Sequence, residues 1–229
     1  MSAVAPQLAA LISGALAFAC LAQVPPSPGE RALYGGLLAA AASGDDAEVR
    51  ALIAKKAKLD MRDSYGRTPL HVAAYGRHRD VIRVLVLAGA DPNALEQDRY
   101  DIVTIAAVAN DVPTLKLALE LGGSAKNVTS RYDGTALIAA AHLGHVEVVR
   151  TLIQAGAPLD HVNNLGWTAL IESIVLGDGG PRHTETLQAL IEAGANVNRA
   201  DREGRTPLAL AKQRGHTEMI KLLVAARAK

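Results

Sequence analysis

The sequence of 229 residues has one cysteine, few aromatic residues and almost no net charge. The single cysteine, Cys20, excludes a framework of disulfide bonds and any zinc site built from cysteines alone. Lys and Arg number 24 and Asp and Glu 23, and a net charge of +1 argues against binding to nucleic-acid phosphates. Aromatic residues make up 3% of a chain that is 49% hydrophobic. Alanine and the aliphatic residues must therefore form the core, and long alanine-rich stretches favour helices.

The first thirty residues differ from the rest, because no charged side chain precedes Glu30. The apolar run Leu8–Ala22 is followed by a Pro-rich stretch, which we interpret as a linker over residues 23–30. A membrane span needs roughly 20 apolar residues, so this run of about 15 is short for one. It resembles the hydrophobic part of a secretory signal peptide. Residues 1–22 are therefore predicted to be a signal peptide or an N-terminal anchor.

Two candidate cleavage points each follow a pair of small residues. One pair is Ala17 and Ala19, and the other is Cys20 and Ala22. Such pairs are typical of signal peptides, so export to the periplasm with cleavage is the predicted localisation. Lipidation at Cys20, which would give a membrane-anchored lipoprotein, is one alternative. A retained anchor and a cytosolic chain with an uncleaved tail are the others.

A repeat of about 33 residues organises the remainder of the chain. Its clearest copy, GRTPLHVAA at Gly66–Ala74, recurs as GRTPLALA at Gly204–Ala211. Two aligned apolar columns both advance in steps of 33, 33, 34, 38 and 33 residues. One column contains Val49, Ile82, Leu115, Val149, Leu187 and Ile220, and the other Leu52, Leu85, Ala118, Leu152, Leu190 and Leu223. Six units are predicted, over residues 31–62, 63–95, 96–129, 130–162, 163–200 and 201–229.

Each unit is predicted to contain a loop followed by two helices. Hydroxyls placed to cap the first helix are those of Thr68, Thr135, Thr168 and Thr206, and Asp101 takes this place in unit three. Glycines placed to end the second helix in a left-handed conformation are Gly89, Gly122, Gly156 and Gly194, with Lys56 in unit one. A single unit cannot bury its apolar face, so stacked units must share one core.

These units resemble the ankyrin-repeat family over residues 31–229. The residues that carry the resemblance are the Thr-Pro-Leu-His box at Thr68–His71, the Gly-His starts of second helices and the Gly-Ala-Asp or Gly-Ala-Asn turns. The resemblance implies an all-α ankyrin-repeat solenoid of about six helix-turn-helix units with loop fingers. It also implies a scaffold that binds another protein.

A narrower resemblance rests on Asp160–Leu170 and on the glycine-rich Gly177–Gly180. Both segments are similar to exported bacterial ankyrin-repeat proteins, including a periplasmic one linked to a catalase and to peroxide resistance. This resemblance implies a periplasmic scaffold that supports oxidative-stress defence through an antioxidant enzyme such as a catalase. An immunity protein or a host-directed binding module of the same fold is the alternative.

Candidate catalytic and metal-binding motifs have structural explanations. The stretch HLGHVE at His142–Glu147 would suit a metal site in isolation. However, one repeat position, at which ankyrin repeats carry histidine, is occupied by His78, His145, His183 and His216. The sequence contains no Gly-x-Ser-x-Gly elbow, phosphate-binding loop or dinucleotide motif. We therefore predict a non-enzymatic protein with no catalytic residue, metal or cofactor, and a metal-dependent enzyme remains the less favoured alternative.

Five of the six aromatic residues after the N-terminal segment fall where ankyrin-repeat proteins bind partners, on the concave surface of fingers and first helices. Tyr65 and Tyr132 share one finger position, and Tyr100 and Trp167 share another. Tyr75 falls at the exposed end of a first helix. Tyr and Trp often anchor interfaces because they bury a large area at modest entropic cost. Alternatively, each ring packs on the neighbouring finger and stiffens the array.

Charged side chains complete the predicted protein-binding surface. They are Arg67, Asp98, Arg131 and Arg205 on the fingers, and His142, whose helix position matches that of Tyr75. An aromatic surface with mixed charge suits a protein better than a lipid or a nucleic acid. We therefore expect a monomer that binds another protein and contacts no membrane except through an N-terminal anchor. The six-residue stretch Gly177–Arg182 contains five extra residues, is predicted to lie between the helices of unit five, and has no predicted role.

Overall fold

The structure is a computed structural model that describes residues 23–229. Helices dominate these residues, so the predicted all-α fold is confirmed. The predicted signal peptide or anchor at residues 1–22 lies outside the described residues. Within the described part, no helix is both long enough and apolar enough to cross a membrane.

A short helix, α1 (Pro28–Leu33), precedes six helix pairs in the described chain. The pairs are α2 (Gly36–Ser43) and α3 (Asp46–Ala54), α4 (Pro69–Tyr75) and α5 (Arg79–Leu87), α6 (Ile102–Val108) and α7 (Val112–Glu120), α8 (Ala136–Leu143) and α9 (Val146–Gln154), α10 (Ala169–Val175) and α11 (Pro181–Glu192), and α12 (Pro207–Arg214) and α13 (Thr217–Ala225). First helices stack on first helices and second helices on second helices. The six pairs therefore form one continuous array.

The array contains one short hairpin among the described residues. Strands β1 (Val128–Thr129) and β2 (Gly134–Thr135) are antiparallel and immediately precede α8. Val128 pairs with Thr135, and Thr129 pairs with Gly134. The loop of unit four is thus held by backbone pairing as well as by its side chains.

The first helices are capped as the sequence predicts. The Thr68 hydroxyl accepts a hydrogen bond from the amide of His71, and Asp101 accepts one from the amide of Thr104 at 2.8 Å. The same cap is formed by Thr135, Thr168 and Thr206. These bonds satisfy amides that the first turn of a helix leaves without a partner.

The second helices also end as predicted. Positive φ angles occur at Gly89, Gly122, Gly156 and Gly194. In unit one, Lys56 adopts a φ of 61° at the same repeat position. A side chain there costs about 1 kcal/mol of backbone strain, which the first unit of the array tolerates.

Histidine connects successive units in two ways. The buried His71 ring accepts from the Thr68 amide and donates through Nε2 to the carbonyl of Tyr100 at 3.1 Å. Burial lowers the pKa of His71 to about 4, so the ring is neutral at pH 7. His78 and His145 each contact a backbone carbonyl in the first helix of the preceding unit, at 3.2 and 3.1 Å respectively. These contacts agree with the structural explanation of the repeated histidines.

The predicted linker at residues 23–30 is divided by the structure. Residues 23–27, which we call the arm, contain no helix or strand, whereas α1 begins at Pro28 and crosses the predicted boundary at residue 31. Ser27 and Glu30 form a reciprocal capping box at the start of this helix. Within the described residues, the segment before the first helix pair therefore includes a capped helix.

The insertion at Gly177–Arg182 follows α10, and its last two residues form the start of α11, which is 12 residues long. Asp178 Oδ1 accepts from the amide of Gly180 and contacts Nδ1 of His183, both at 2.9 Å. Nε2 of the same histidine contacts the carbonyl of His142 at 2.9 Å. The insertion is thus tied to the first helix of unit four.

We expect Leu85→Ala and Leu152→Ala each to lower the free energy of unfolding by about 2–5 kcal/mol, because both side chains are fully buried in the shared core. Leu87, two residues further along α5, is 74% exposed and provides a matched control. Leu87→Ala should change stability by less than about 0.5 kcal/mol. Urea unfolding followed by circular dichroism measures all three variants. Equal losses at positions 85 and 87 would contradict the core assignment.

Candidate protein-binding surface

Five loops, which we call the fingers, each begin with a side chain that accepts two backbone amides. They lie at residues 63–67, 96–100, 130–134, 163–167 and 201–205. In the first, Asp63 Oδ1 accepts from the amides of Tyr65 and Arg67, both at 2.9 Å. The amides two and four residues further on are bound in the same way by Glu96, Ser130, Asn163 and Asp201. The five loops therefore share one backbone pattern.

The residue two positions after the acceptor lies at the tip of its finger. Tyr65 is 38% exposed and Tyr132 is partly exposed. Asp98, also partly exposed, forms an ion pair with the exposed Arg131 of the next finger. These four predicted binding residues are thus accessible on three adjacent fingers.

In units two and three the residue four positions after the acceptor turns inward, which corrects two predictions. Arg67, expected to project toward a partner, is fully buried, and Tyr100 is only 5% exposed. Both residues pack within the array and offer almost no surface to a partner. Trp167 and Arg205 occupy the same position but remain partly exposed.

Two further predicted residues lie on first helices. Tyr75 is partly buried against the core, and burial raises the pKa of its hydroxyl. The side chain of His142 is 10% exposed. Each therefore offers a limited surface rather than a protruding anchor.

Arg67 is buried because three acceptors surround its guanidinium group. Its Nε donates to Asp63 at 2.6 Å, one terminal nitrogen donates to the Val24 carbonyl at 2.8 Å, and the other pairs with Glu30. The guanidinium carbon also lies 4.6 Å from the centre of the Tyr65 ring, a cation–π distance. Arg67 thus joins the first finger to the arm and to α1.

The carboxylate of Asp63 is correspondingly stabilised in its charged form. Burial alone would raise its pKa, but hydrogen bonds from Tyr34, at 2.5 Å, and from Arg67 hold the pKa below its ordinary value. The same carboxylate accepts the two finger amides. The backbone of the first finger and the buried ion pair therefore depend on each other.

The arm contacts the first helix of unit three and the finger of unit two. The Gln23 side-chain amide donates to the Thr104 carbonyl in α6 at 3.2 Å, Val24 is held by Arg67, and Pro26 is buried. We call the surface between the fingers and the first helices the groove. Part of it is already occupied by this chain. Composition alone did not predict this, because an uncharged Pro-rich stretch is typical of a linker.

A slot opens in the groove at unit four. Its enclosed volume is only about 20 Å³, and it is lined by residues of units three to five. The lining includes Tyr100, Thr104, Tyr132, Ala139 and His142. Thr104, which lines the slot, also binds Gln23 of the arm through its carbonyl.

The slot contains a buried carboxylate that the sequence analysis did not identify. Glu172 is 1% exposed, and its Oε2 lies 3.2 Å from Nδ1 of His142. Its Oε1 accepts from the side-chain amide of Asn163 at 2.8 Å. A carboxylate can only accept, so Nδ1 of His142 carries the shared proton. When the ring is neutral, Nε2 is left as an acceptor.

A sequence signal for Glu172 does exist. The same repeat position is apolar in the other units, where it is occupied by Ala39, Val72, Ile105, Ala139 and Leu210. A carboxylate in an otherwise apolar column indicates a local requirement that the repeat itself does not impose. Within residues 23–229, no three His, Cys, Asp or Glu side chains form a metal-binding group.

The stacked helix pairs, their caps and their fingers define a repeat scaffold with an accessible groove. Ankyrin-repeat family models match residues 15–96 and 103–201, and a second ankyrin-repeat model matches residues 181–224. The chain therefore belongs to the ankyrin-repeat family. It is an ankyrin-repeat scaffold of the kind that binds other proteins and is generally not catalytic.

Similar proteins include YahD of Escherichia coli K12, named as an ankyrin repeat protein. It is 33% identical over 192 residues, which cover 83% of this chain and 95% of YahD. The structure is similar to an ankyrin repeat domain from Acinetobacter baumannii AYE, with a TM-score of 0.80, 44% identity, and coverage of 84% of this chain and 98% of that one. It is also similar to the ankyrin repeat domain of Bcl-3, of the IkappaB family, with a TM-score of 0.77, 28% identity, and coverage of 86% and 88%.

Arg67→Met is expected to lower the free energy of unfolding by about 3–5 kcal/mol, because it leaves the buried carboxylate of Asp63 without its cation. Arg99 pairs with Asp133 at 2.7 Å, but the two side chains are 45% and 50% exposed. Arg99→Met should therefore cost only about 1 kcal/mol. Both losses are measured by urea unfolding. A loss for Arg67→Met no greater than that for Arg99→Met would contradict the buried network.

Proposed function

We propose that this chain is a non-enzymatic scaffold that binds a protein partner through the finger tips and the open part of the groove. The observation that carries the proposal is the division between tip and inward positions. Tyr65, Tyr132 and Arg131 are accessible, while the backbone beneath them is fixed by the finger acceptors. Anchors that are ordered before binding lose little conformational entropy on docking.

The chemistry of the tips favours a protein surface. Two tyrosines offer an apolar ring and a hydroxyl, and the Asp98–Arg131 pair offers both charges beside them. Trp167 and Arg205 extend the surface along the later fingers. Because the arm covers the groove at units two and three, the partner is expected to enter the groove from unit four onward.

We also propose that the scaffold acts in the bacterial periplasm. The support is the apolar run Leu8–Ala22 followed by a candidate cleavage point after Ala22. Mass spectrometry of the protein recovered from periplasm tests this proposal. A chain beginning near Gln23 is expected. A full-length chain, or one acylated at Cys20, would contradict cleaved export.

A finer proposal is that the partner is an antioxidant enzyme such as a catalase, so that the scaffold supports peroxide defence. It rests on the similarity of Asp160–Leu170 and Gly177–Gly180 to exported bacterial ankyrin-repeat proteins. Both segments lie in units four and five, next to the open part of the groove. The identity of a captured partner therefore tests this proposal directly.

Affinity capture from periplasmic extract, with the full chain tagged at its C-terminus, tests the binding surface. We expect Tyr65→Ala/Tyr132→Ala to reduce partner recovery by about tenfold or more, because aromatic anchors carry much of an interface's energy. The control is Leu87→Ala/Val224→Ala, which removes exposed apolar side chains from second helices. It should retain the partner.

Equal recovery by the parent and the tip variant would contradict binding through the tips. Loss of the partner in both variants would show non-specific adhesion instead. Recovery of an enzyme that removes peroxide would support the finer proposal, and a partner of another class would contradict it.

A further inference from the structure

The finger of unit four lacks an arginine that two other fingers supply. In those fingers, Arg67 and Arg205 stand four residues after the acceptors Asp63 and Asp201. Each donates from Nε to its own carboxylate, at 2.6 and 2.8 Å respectively. In unit four the same position is Gly134.

The backbone does not require glycine at this position. Gly134 does not have a positive φ. A Cβ atom built on it would lie 3.4 Å from Ser130 Oγ and 3.7 Å from the nearest atom of Ile138, which is ordinary van der Waals contact. Gly134 lines the slot. The missing side chain therefore contributes to the open space in the groove.

The surroundings of the slot repeat those of a bound arginine. Tyr132 occupies the tip position of Tyr65, over whose ring the Arg67 guanidinium lies. A carboxylate is also present, but it comes from Glu172 of the next unit rather than from the finger itself. The slot thus has an aromatic ring and a carboxylate, while the inward position of its finger supplies no arginine.

The charge of Glu172 has no cationic side chain of lysine or arginine beside it in the described residues. Its oxygens contact His142 and the neutral amide of Asn163. Burial of a carboxylate is unfavourable unless a positive group or several hydrogen bonds compensate it. The hydrogen bond that orients Asn163 does not require a charge at position 172, because a glutamine there could accept the same bond.

We propose that the slot binds an arginine side chain of the protein partner, a proposal that rests on the proposed protein-binding function. The guanidinium donates to Glu172, and it packs against the ring of Tyr132. Its planar fork suits a carboxylate and an aromatic face together, which an ammonium group does not. The rest of the partner segment lies in the groove along the fingers of units four and five.

The test uses two small ligands that differ in charge but hardly in shape, N-acetyl-arginine methylamide and N-acetyl-citrulline methylamide. Each is titrated into the isotopically labelled full chain, and amide chemical shifts are followed by NMR. We expect shifts at Gly134, Ala139 and His142, with the arginine ligand binding about tenfold more tightly because its contacts to Glu172 are charge-assisted. Equal affinity for the two ligands, or no shifts at these residues, would overturn the proposal.

Two variants show whether the binding takes place in the slot. Gly134→Arg supplies the arginine from within the chain, and Glu172→Gln removes the charge while keeping the hydrogen bond to Asn163. Each should weaken the arginine ligand by about tenfold or more. Glu185→Gln, an exposed site on α11, makes the same change of charge outside the slot and should not alter binding.

Retention of full affinity by both slot variants would overturn the proposal. Should Glu172→Gln fail to fold, Gly134→Arg remains decisive, since its backbone accommodates a side chain. The ligand titration needs no captured partner. Failure of the arginine ligand to bind would therefore leave the protein-binding function intact, and partner capture tests that function separately.

Discussion

The hydrogen bonds at the start of each finger are the interaction on which the binding surface depends. A side-chain oxygen that accepts the amides two and four residues later fixes the direction of each side chain in the loop. The same backbone can therefore present different chemistry from unit to unit. In unit two the inward residue is Arg67, which closes the groove by holding the arm. In unit four it is Gly134, and the groove stays open.

The helices and their ends were predictable because their causes are local. Thr68 caps the helix that begins one residue later, and Gly89 ends a helix by its own φ angle. The spacing of Leu85 and Leu152 in the repeat was likewise enough to place both in the core. Each of these predictions rests on residues within one unit and on the requirement that units stack.

The arrangement of the site was less predictable because its contacts join distant residues. An arginine in a polar loop predicts exposure, yet Arg67 is buried by Glu30, 37 residues earlier, from a segment whose composition predicts a linker. Tip and inward positions are two residues apart, so alternation alone cannot distinguish Tyr132 from Gly134. Glu172 was detectable as a carboxylate in an apolar column, but its contact with His142, 30 residues away, depends on the stacking of two first helices.

Site-directed photo-cross-linking is the most direct test of binding in the open part of the groove. Benzoylphenylalanine would replace either Tyr132, at the finger tip beside the slot, or Glu185, on the exposed side of α11. Binding in the groove predicts a cross-link to the partner from position 132 and none from position 185. A cross-link from position 185 without one from position 132 would contradict it and would place the partner on the second helices.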